Sequence, residues 1–149
     1  MDLFAKLIQE LSTHLEIPLT ADDQDSCAIL VENTVLIKVE MSRRENQILL
    51  GCSLGEIPPG KYREELLKVA LKENGANYPN LGILGFNPHK SELILFDQLN
   101  ASTLNGEALA HYFQIFLDIA LKWNKAIVSG VYPDSLRGLS AEKEINVIR

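Results

Sequence analysis

Three short apolar segments in the first third of the chain constrain the fold most. Residues 27–31, 35–41 and 47–54 are rich in aliphatic and β-branched side chains, which favour strands. The connecting residues 32–34 and 42–46 supply the Asn and charged side chains that suit tight chain reversals. The simplest pairing is therefore an antiparallel meander, in which sheet order follows chain order.

Helical periodicity precedes and follows this meander. Within residues 3–15 the apolar side chains recur at steps of three and four, which predicts an amphipathic helix that Asp2 can cap and that ends before Pro18. From Lys61 helical steps return with two adjacent apolar stripes, and Gly75 suits the position after the last turn. A helix on one sheet needs only one stripe, so the second indicates burial against another element or another subunit.

Two further strands and a third helix complete the pattern. Residues 82–86 and 92–96 predict a second hairpin, and residues 104–123 predict a long helix from apolar steps of four and three. The resulting order is α-β-β-β-α-β-β-α, an α+β fold with an antiparallel sheet and packed helices. We expect one domain over residues 1–125, followed by a C-terminal extension of residues 126–149 that is partly flexible.

Length and charge exclude several classes of protein. The 149 residues, 46% hydrophobic and 23% charged, fit one ordinary globular domain. The net charge of −6 argues against nucleic acid as a partner, which requires clustered Lys and Arg. Cys27 and Cys52 lie in separate apolar segments, as buried thiols of a reducing compartment do. No signal peptide and no apolar run of roughly 18 residues is visible, so we expect a cytoplasmic protein without membrane insertion.

One motif has the letters of a catalytic site. Residues 51–55, G-C-S-L-G, match the G-x-S-x-G nucleophile elbow, and Asp97 and His111 would complete a triad with Ser53 in the usual chain order. The elbow requires a helix directly after the serine, whereas E-I-P-P follows at residues 56–59. A strand entering a turn is the preferred interpretation, and a small esterase using Ser53 stays the least favoured alternative.

Metal and phosphate sites are not expected. The three histidines are isolated from other ligands at metal-binding spacing, and the acidic segment near Asp23 lacks the Gly and Glu of a calcium loop. The glycines at 82 and 85 lack the remaining residues of a phosphate or dinucleotide loop. We predict no catalytic residues, no metal and no cofactor.

The whole pattern resembles the class I chaperones of bacterial type III secretion systems, the CesT-like family. The resemblance extends over residues 1–125 and rests on the helical segment 3–11 (L-F-A-K-L-I-Q-E-L), the strand segment 36–40 (L-I-K-V-E) and the helical segment 66–74. It implies a cytosolic homodimer without cofactors. Such a protein binds an unfolded segment near the N-terminus of secreted virulence effectors and keeps them soluble and ready for export. A secretion ATPase or other sorting machinery would be a further partner.

The resemblance also implies two binding surfaces. The client surface would use the first helix and apolar positions on the first three strands that we expect to be exposed: Leu3, Phe4, Leu7, Leu11, Leu30, Val35, Ile37 and Leu49. The dimer contact would use the second helix and the fifth strand: Leu66, Leu67, Val69, Ala70, Leu71, Leu93 and Leu95. Two alternatives stay open, namely a dimeric adaptor outside secretion that binds folded partners, and a monomer in which the third helix fills the second stripe.

Overall fold

The computed structural model of the chain describes residues 2–76 and 82–133. Its elements are α1 (Leu3–Leu15), β1 (Ser26–Val31), β2 (Val35–Ser42), β3 (Gln47–Glu56), α2 (Lys61–Ala76), β4 (Ile83–Asn87), β5 (Glu92–Asn100), a 3-10 turn (Ala101–Thr103) and α3 (Gly106–Ser129). The predicted element order and the α+β class are confirmed.

The five strands form one antiparallel sheet in the order β1-β2-β3-β5-β4. The first three strands form the predicted meander, with Leu30 opposite Leu36 across β1 and β2. The second hairpin then joins the meander through β5, which pairs with β3 along its whole length. As a result β1 and β4 are the two edges of the sheet.

One face of the sheet carries the hydrophobic core. Alternate residues of β2 and β3 are buried, as expected when a single face of a strand is covered. Helix α3 packs on this inner face of β2 and β3, and α1 packs against α3. Phe113 and Phe116 of α3 are completely buried there. The opposite face of the sheet, which we call the outer face, is not covered by a helix within the described residues.

The start and end of α1 follow its sequence. The Asp2 side chain accepts a hydrogen bond from the Ala5 N–H, which is the predicted cap. Glu16 adopts a left-handed conformation with φ of 59°, and its N–H is donated to the carbonyls of Ser12 and Thr13. This turn closes the helix before Pro18.

The ends of the other two helices differ from the prediction. Helix α2 continues through Gly75, which is therefore a helical residue and does not follow the last turn. Helix α3 extends past residue 123 to Ser129, where Gly130 takes the left-handed conformation with φ of 70°. The expected domain boundary at residue 125 falls inside α3, and residues 134–149 of the expected extension lie outside the described residues.

Candidate protein-binding surfaces

The outer face of the sheet exposes apolar side chains. Strand register places these residues on it: Ala28, Leu30, Leu36, Lys38, Leu49, Gly51, Ile94 and Phe96. Leu36 is 53% exposed, Leu30 39% and Phe96 38%, and Leu30 and Leu36 lie opposite each other on β1 and β2, so their exposed surfaces adjoin. We call the cross-strand pair Leu30 and Leu36 the hairpin patch. Uncovered apolar surface of this kind is typical of a protein-binding site.

Charged and small residues separate the hairpin patch from Phe96. Lys38 Nζ lies 3.8 Å from Glu40 Oε1, and both side chains are about half exposed, so their attraction adds little to stability. In the register Gly51 lies between Lys38 and Phe96. Because Gly51 has no side chain, the outer face is lower between Lys38 and Phe96 than on either side.

The backbone hydrogen-bonding groups along the β1 edge of the sheet are only partly satisfied. Those of Ser26, at the start of β1, are both bonded to Asp22: the Ser26 N–H donates a hydrogen bond to Asp22 Oδ1 at 3.0 Å, and the Ser26 carbonyl accepts one from the Asp22 N–H at 2.8 Å. The bond from the Met41 N–H to the Asp25 carbonyl shows that odd-numbered residues of β1 face β2. The backbone groups of Ala28 and Leu30 therefore point outward, and none of the hydrogen bonds between described residues occupies them.

The structure separates the predicted client residues into two groups. Leu30 lies on the outer face, Leu49 lies there half-buried, and Leu3 at the start of α1 is 40% exposed. The other five are core residues at 2% exposure or less: Phe4, Leu7, Leu11, Val35 and Ile37. The expectation that Val35 and Ile37 are exposed is wrong, because a shift of one residue moves a strand side chain to the opposite face.

Leu36 is the outer-face residue that the prediction missed. It shares its face of β2 with Lys38 and Glu40, whereas Val35, Ile37 and Val39 are completely buried. The alternation of polar residues along this strand was the signal that could have identified it. Phe96 was assigned with its strand to the dimer contact and not to the client surface, because the segment 93–96 is apolar throughout and carries no such signal.

Helix α2 and the second hairpin form another apolar surface. Leu71 is 71% exposed, and Leu67 and Val69 are half-buried. A shallow cleft of about 200 Å³ lies between α2 and β4, lined by Leu67, Ala70, Leu71, Asn74, Leu84, Gly85, Phe86 and Leu93. The remaining predicted dimer residues are in the core of their own chain, at 5% exposure or less: Leu66, Ala70, Leu93 and Leu95.

The possible catalytic triad is not assembled. Ser53 faces outward opposite Ile94, whereas Asp97 lies opposite Leu50, whose side chain is on the inner face. The Asp97 carboxylate accepts a hydrogen bond from the Tyr112 hydroxyl. Burial, together with Asp97, raises the pKa of Tyr112. His111 is exposed, and β3 continues after Ser53 without the helix that a nucleophile elbow requires.

The described residues were also searched for a metal-binding cluster and for a membrane-spanning helix. No cluster of three or more His, Cys, Asp or Glu side chains suited to a metal ion occurs in residues 2–76 and 82–133. Over the same residues, every helix is too short or too polar to cross a membrane.

Comparison with known proteins identifies both a family and a fold. The model of the Tir chaperone protein (CesT) family matches residues 6–124. No curated protein matches the sequence. Solved structures with the same fold include the Yersinia pestis type III secretion chaperone SycH in complex with a stable fragment of YscM2, at 15% identity and a TM-score of 0.64, covering 80% of this chain and 98% of that chain.

Two other solved structures are similar to the same extent. One chain of the ExsC–ExsE complex is 19% identical with a TM-score of 0.67, and the match covers 85% of this chain and 97% of that chain. One chain of the HopA1–SchA chaperone–effector complex is 20% identical with a TM-score of 0.66, covering 83% and 94%. At these identities the likeness shows the fold.

Proposed function

This chain belongs to the Tir chaperone protein (CesT) family, and on that basis we propose that it holds an N-terminal effector segment along β1 and across the outer face. The protein is a type III secretion chaperone that binds effectors. Three of the most similar solved structures contain such a chain together with a bound partner, an effector in the HopA1–SchA complex. The binding site on this chain is the part that we infer.

The observation that carries the proposal is the open part of the β1 edge beside the hairpin patch. An extended effector segment can pair with the outward N–H and C=O groups of Ala28 and Leu30. Every second side chain of the added strand would then point to the outer face beside Leu30, and the part of the segment that lies across the outer face would contact Leu36. Because Asp22 occupies the Ser26 backbone, the added strand is confined to the second half of β1.

Binding of this kind keeps an effector soluble without consuming ATP. The segment is ordered only when the buried apolar area and the new backbone hydrogen bonds outweigh its lost conformational entropy. The hairpin patch supplies apolar area, and the β1 edge supplies the hydrogen bonds. We therefore expect the bound effector segment to be extended, with apolar side chains at alternate positions.

We also propose that the protein acts in the bacterial cytoplasm as a homodimer. Leu71 and the cleft beside it support this contact. Leu71 lies on a helix with 71% of its side chain exposed, so burial against a second copy would remove a large apolar area from water. A dimer has two outer faces for one effector chain. A secretion ATPase or other sorting machinery would receive the effector from this complex.

The test removes the hairpin patch without disturbing the core. A tagged Leu30→Asp, Leu36→Asp double variant should fold, since both side chains are exposed, and should recover at least tenfold less effector from the native bacterial cytosol. Recovery is measured by mass spectrometry, and limited proteolysis maps the protected effector segment. Val128→Asp is the matched control, because Val128 is an apolar residue on α3 that is 76% exposed.

The outcomes separate the competing functions. Unchanged effector recovery by the double variant would contradict the proposed site. Recovery of folded proteins only, with no protected N-terminal segment, would favour an adaptor outside secretion. Turnover of an activated ester that a Ser53→Ala variant loses would favour an esterase.

A further inference from the structure

The end of α3 and the hairpin patch lie at the same end of the sheet. Asn124 Nδ2 donates to the Leu54 carbonyl at 3.0 Å, so the last turns of α3 lie beside the end of β3. Strand β2 is antiparallel to β3, so the start of β2 is at this end too. Val35 at the start of β2 is opposite Val31 at the end of β1. The described chain, which stops at residue 133 shortly after α3, therefore stops at the end of the sheet where β1 ends.

The sequence that follows contains one segment with the composition of a strand. Residues 144–149 read E-I-N-V-I-R, with β-branched side chains at 145, 147 and 148, and such side chains favour strands. The intervening residues 134–144 can span up to about 35–40 Å when extended. The distance from β3 to β1 is two strand spacings, or about 10 Å. The segment can therefore reach the β1 edge.

We propose that residues 145–149 pair with the β1 edge of their own chain when no effector is bound. The segment approaches from the end of the sheet where β1 ends, so it runs antiparallel to β1. Ile145 then pairs with the outward backbone groups of Leu30, and Val147 pairs with those of Ala28. Directly opposite residues of an antiparallel pair share a face, so both side chains lie on the outer face beside the hairpin patch.

The same register brings a positive charge to two carboxylates. Two residues after Val147, Arg149 lies opposite Ser26, whose backbone groups are bonded to Asp22. Asp22 and Asp23 are exposed, and none of the ion pairs between described residues includes either of them. An arginine at this position is attracted by both carboxylates. Apolar spacing and charge thus favour one and the same register.

An effector that pairs with β1 must displace this segment, a consequence that rests on the proposed function. A segment of the same chain competes at a high effective concentration, which does not depend on the concentration of the protein. It also covers a strand edge that could otherwise pair with unrelated chains. We therefore expect effector segments that replace it to share its pattern, with apolar side chains at two alternate positions and a basic residue two positions later.

Amide hydrogen exchange of the full chain without effector tests the pairing. In the double variant Ile145→Asp, Val147→Asp the outward amides of Ala28 and Leu30 should exchange at least tenfold faster than in wild type. A carboxylate at either position cannot cover the hairpin patch without losing its water. The amide of Ile29 faces β2 and should exchange at the wild-type rate, which shows that the sheet is intact.

The matched control places the same two charges in the connecting residues. Leu136→Asp, Leu139→Asp should keep the wild-type protection of Ala28 and Leu30. The proposal is overturned when these two amides exchange at the same rate in wild type and in the Ile145, Val147 variant, or when the control variant loses the same protection.

A mixing experiment identifies the chain that supplies the segment. Isotope-labelled Ile145→Asp, Val147→Asp protein is mixed with unlabelled wild type, and its Ala28 and Leu30 amides should stay unprotected. Protection of these labelled amides would assign the segment to a second copy and would overturn the proposal.

Recovery of effector from the cytosol separates this proposal from the proposed function. The exchange measurement contains no effector, so its failure leaves the proposed function untouched. When the Ile145, Val147 variant loses protection, it should also recover more effector than wild type. Lost protection with unchanged recovery would support the pairing of residues 145–149 and contradict the use of β1 by effectors.

Discussion

Among the individual residues, Cys52 is a core residue whose pKa is strongly raised. Its thiol is buried on the inner face of β3, and this burial raises the pKa of Cys52 from the ordinary value of 9.0 to about 12. The thiol is therefore uncharged at neutral pH, and a thiolate is the form that reacts. Cys52 acts as a small apolar core residue.

The raised pKa of Cys52 predicts a loss of stability in alkaline solution. The thiol of the unfolded chain ionises near pH 9, whereas the folded thiol stays protonated up to about pH 12, so rising pH favours the unfolded state over this interval. At pH 10.5 this difference amounts to about 2 kcal/mol. Urea unfolding at pH 7.5 and 10.5 should show that Cys52→Val loses correspondingly less stability than wild type. An equal loss in both proteins would contradict the assignment.

Glu16 predicts a gain in stability from a single substitution. Its left-handed backbone at the end of α1 costs a residue with a Cβ roughly 1 kcal/mol, which glycine does not lose. Because Glu16 is exposed, Glu16→Gly should raise the free energy of unfolding by up to about 1 kcal/mol in urea titrations. Glu16→Ala keeps the Cβ and should show no such gain. A glycine variant less stable than wild type would refute this explanation.

At the scale of elements, α1 and α3 meet at one glycine. A Cβ on Gly106 would lie 2.2 Å from the Cβ of Glu10, a distance that neither side chain can relieve by rotation. The Gly106 N–H is donated to Glu10 Oε1 at 3.1 Å, which places a carboxylate at the N-terminus of α3. The two helices can approach this closely only because residue 106 has no side chain.

Two identical substitutions on different helices test this contact. Gly106→Ala should destabilise the protein by about 1–3 kcal/mol or more, because α1 and α3 must move apart. Gly75→Ala on α2 should stabilise it by about 0.5–1 kcal/mol, because nothing lies within 4 Å of the added methyl group. Thermal and urea unfolding of both variants give the comparison. Stabilisation by both substitutions would show that helix propensity, and not the α1–α3 contact, dominates.

The order of the elements could be predicted from the sequence, but the end of α3 could not. Periodicity and turn residues are local signals, and they identified the three helices and five strands of the described residues. The last turns of α3 are held by distant groups: the Tyr62 hydroxyl of α2 bonds with the carbonyls of Ala126 and Val131, and Asn124 donates to the Leu54 carbonyl of β3. No local pattern contains these contacts.

The candidate site was predictable only where polar residues mark a face. Lys38 and Glu40 alternate with buried residues on β2, so the sequence could have shown that Leu36 lies on the same exposed face as these two residues. On β1 the segment C-A-I-L-V contains no polar residue, and the exposure of Leu30 follows only from its pairing with Leu36. Which apolar residue binds a partner thus depends on strand register, a property of the assembled sheet.

For the molecule as a whole, the proposed dimer gives the clearest prediction. Leu71→Asp should convert a wild-type dimer into a monomer, measured by light scattering after size-exclusion chromatography, because a charge cannot be buried unpaired in the contact. The fold should persist, since Leu71 is 71% exposed in the single chain. Lys72→Asp, at the adjacent exposed position, controls for the added charge. A dimeric Leu71→Asp variant, or a monomeric wild type, would exclude this contact.

The bond between Glu10 and Gly106 joins two helices that are synthesised at different times. The two residues are 96 positions apart, so α1 leaves the ribosome long before its partner helix exists. At about 5–20 residues per second, the nascent chain waits roughly 5–20 s with the apolar stripe of α1 uncovered. During that interval the stripe is the kind of exposed apolar surface that makes a nascent chain prone to aggregation.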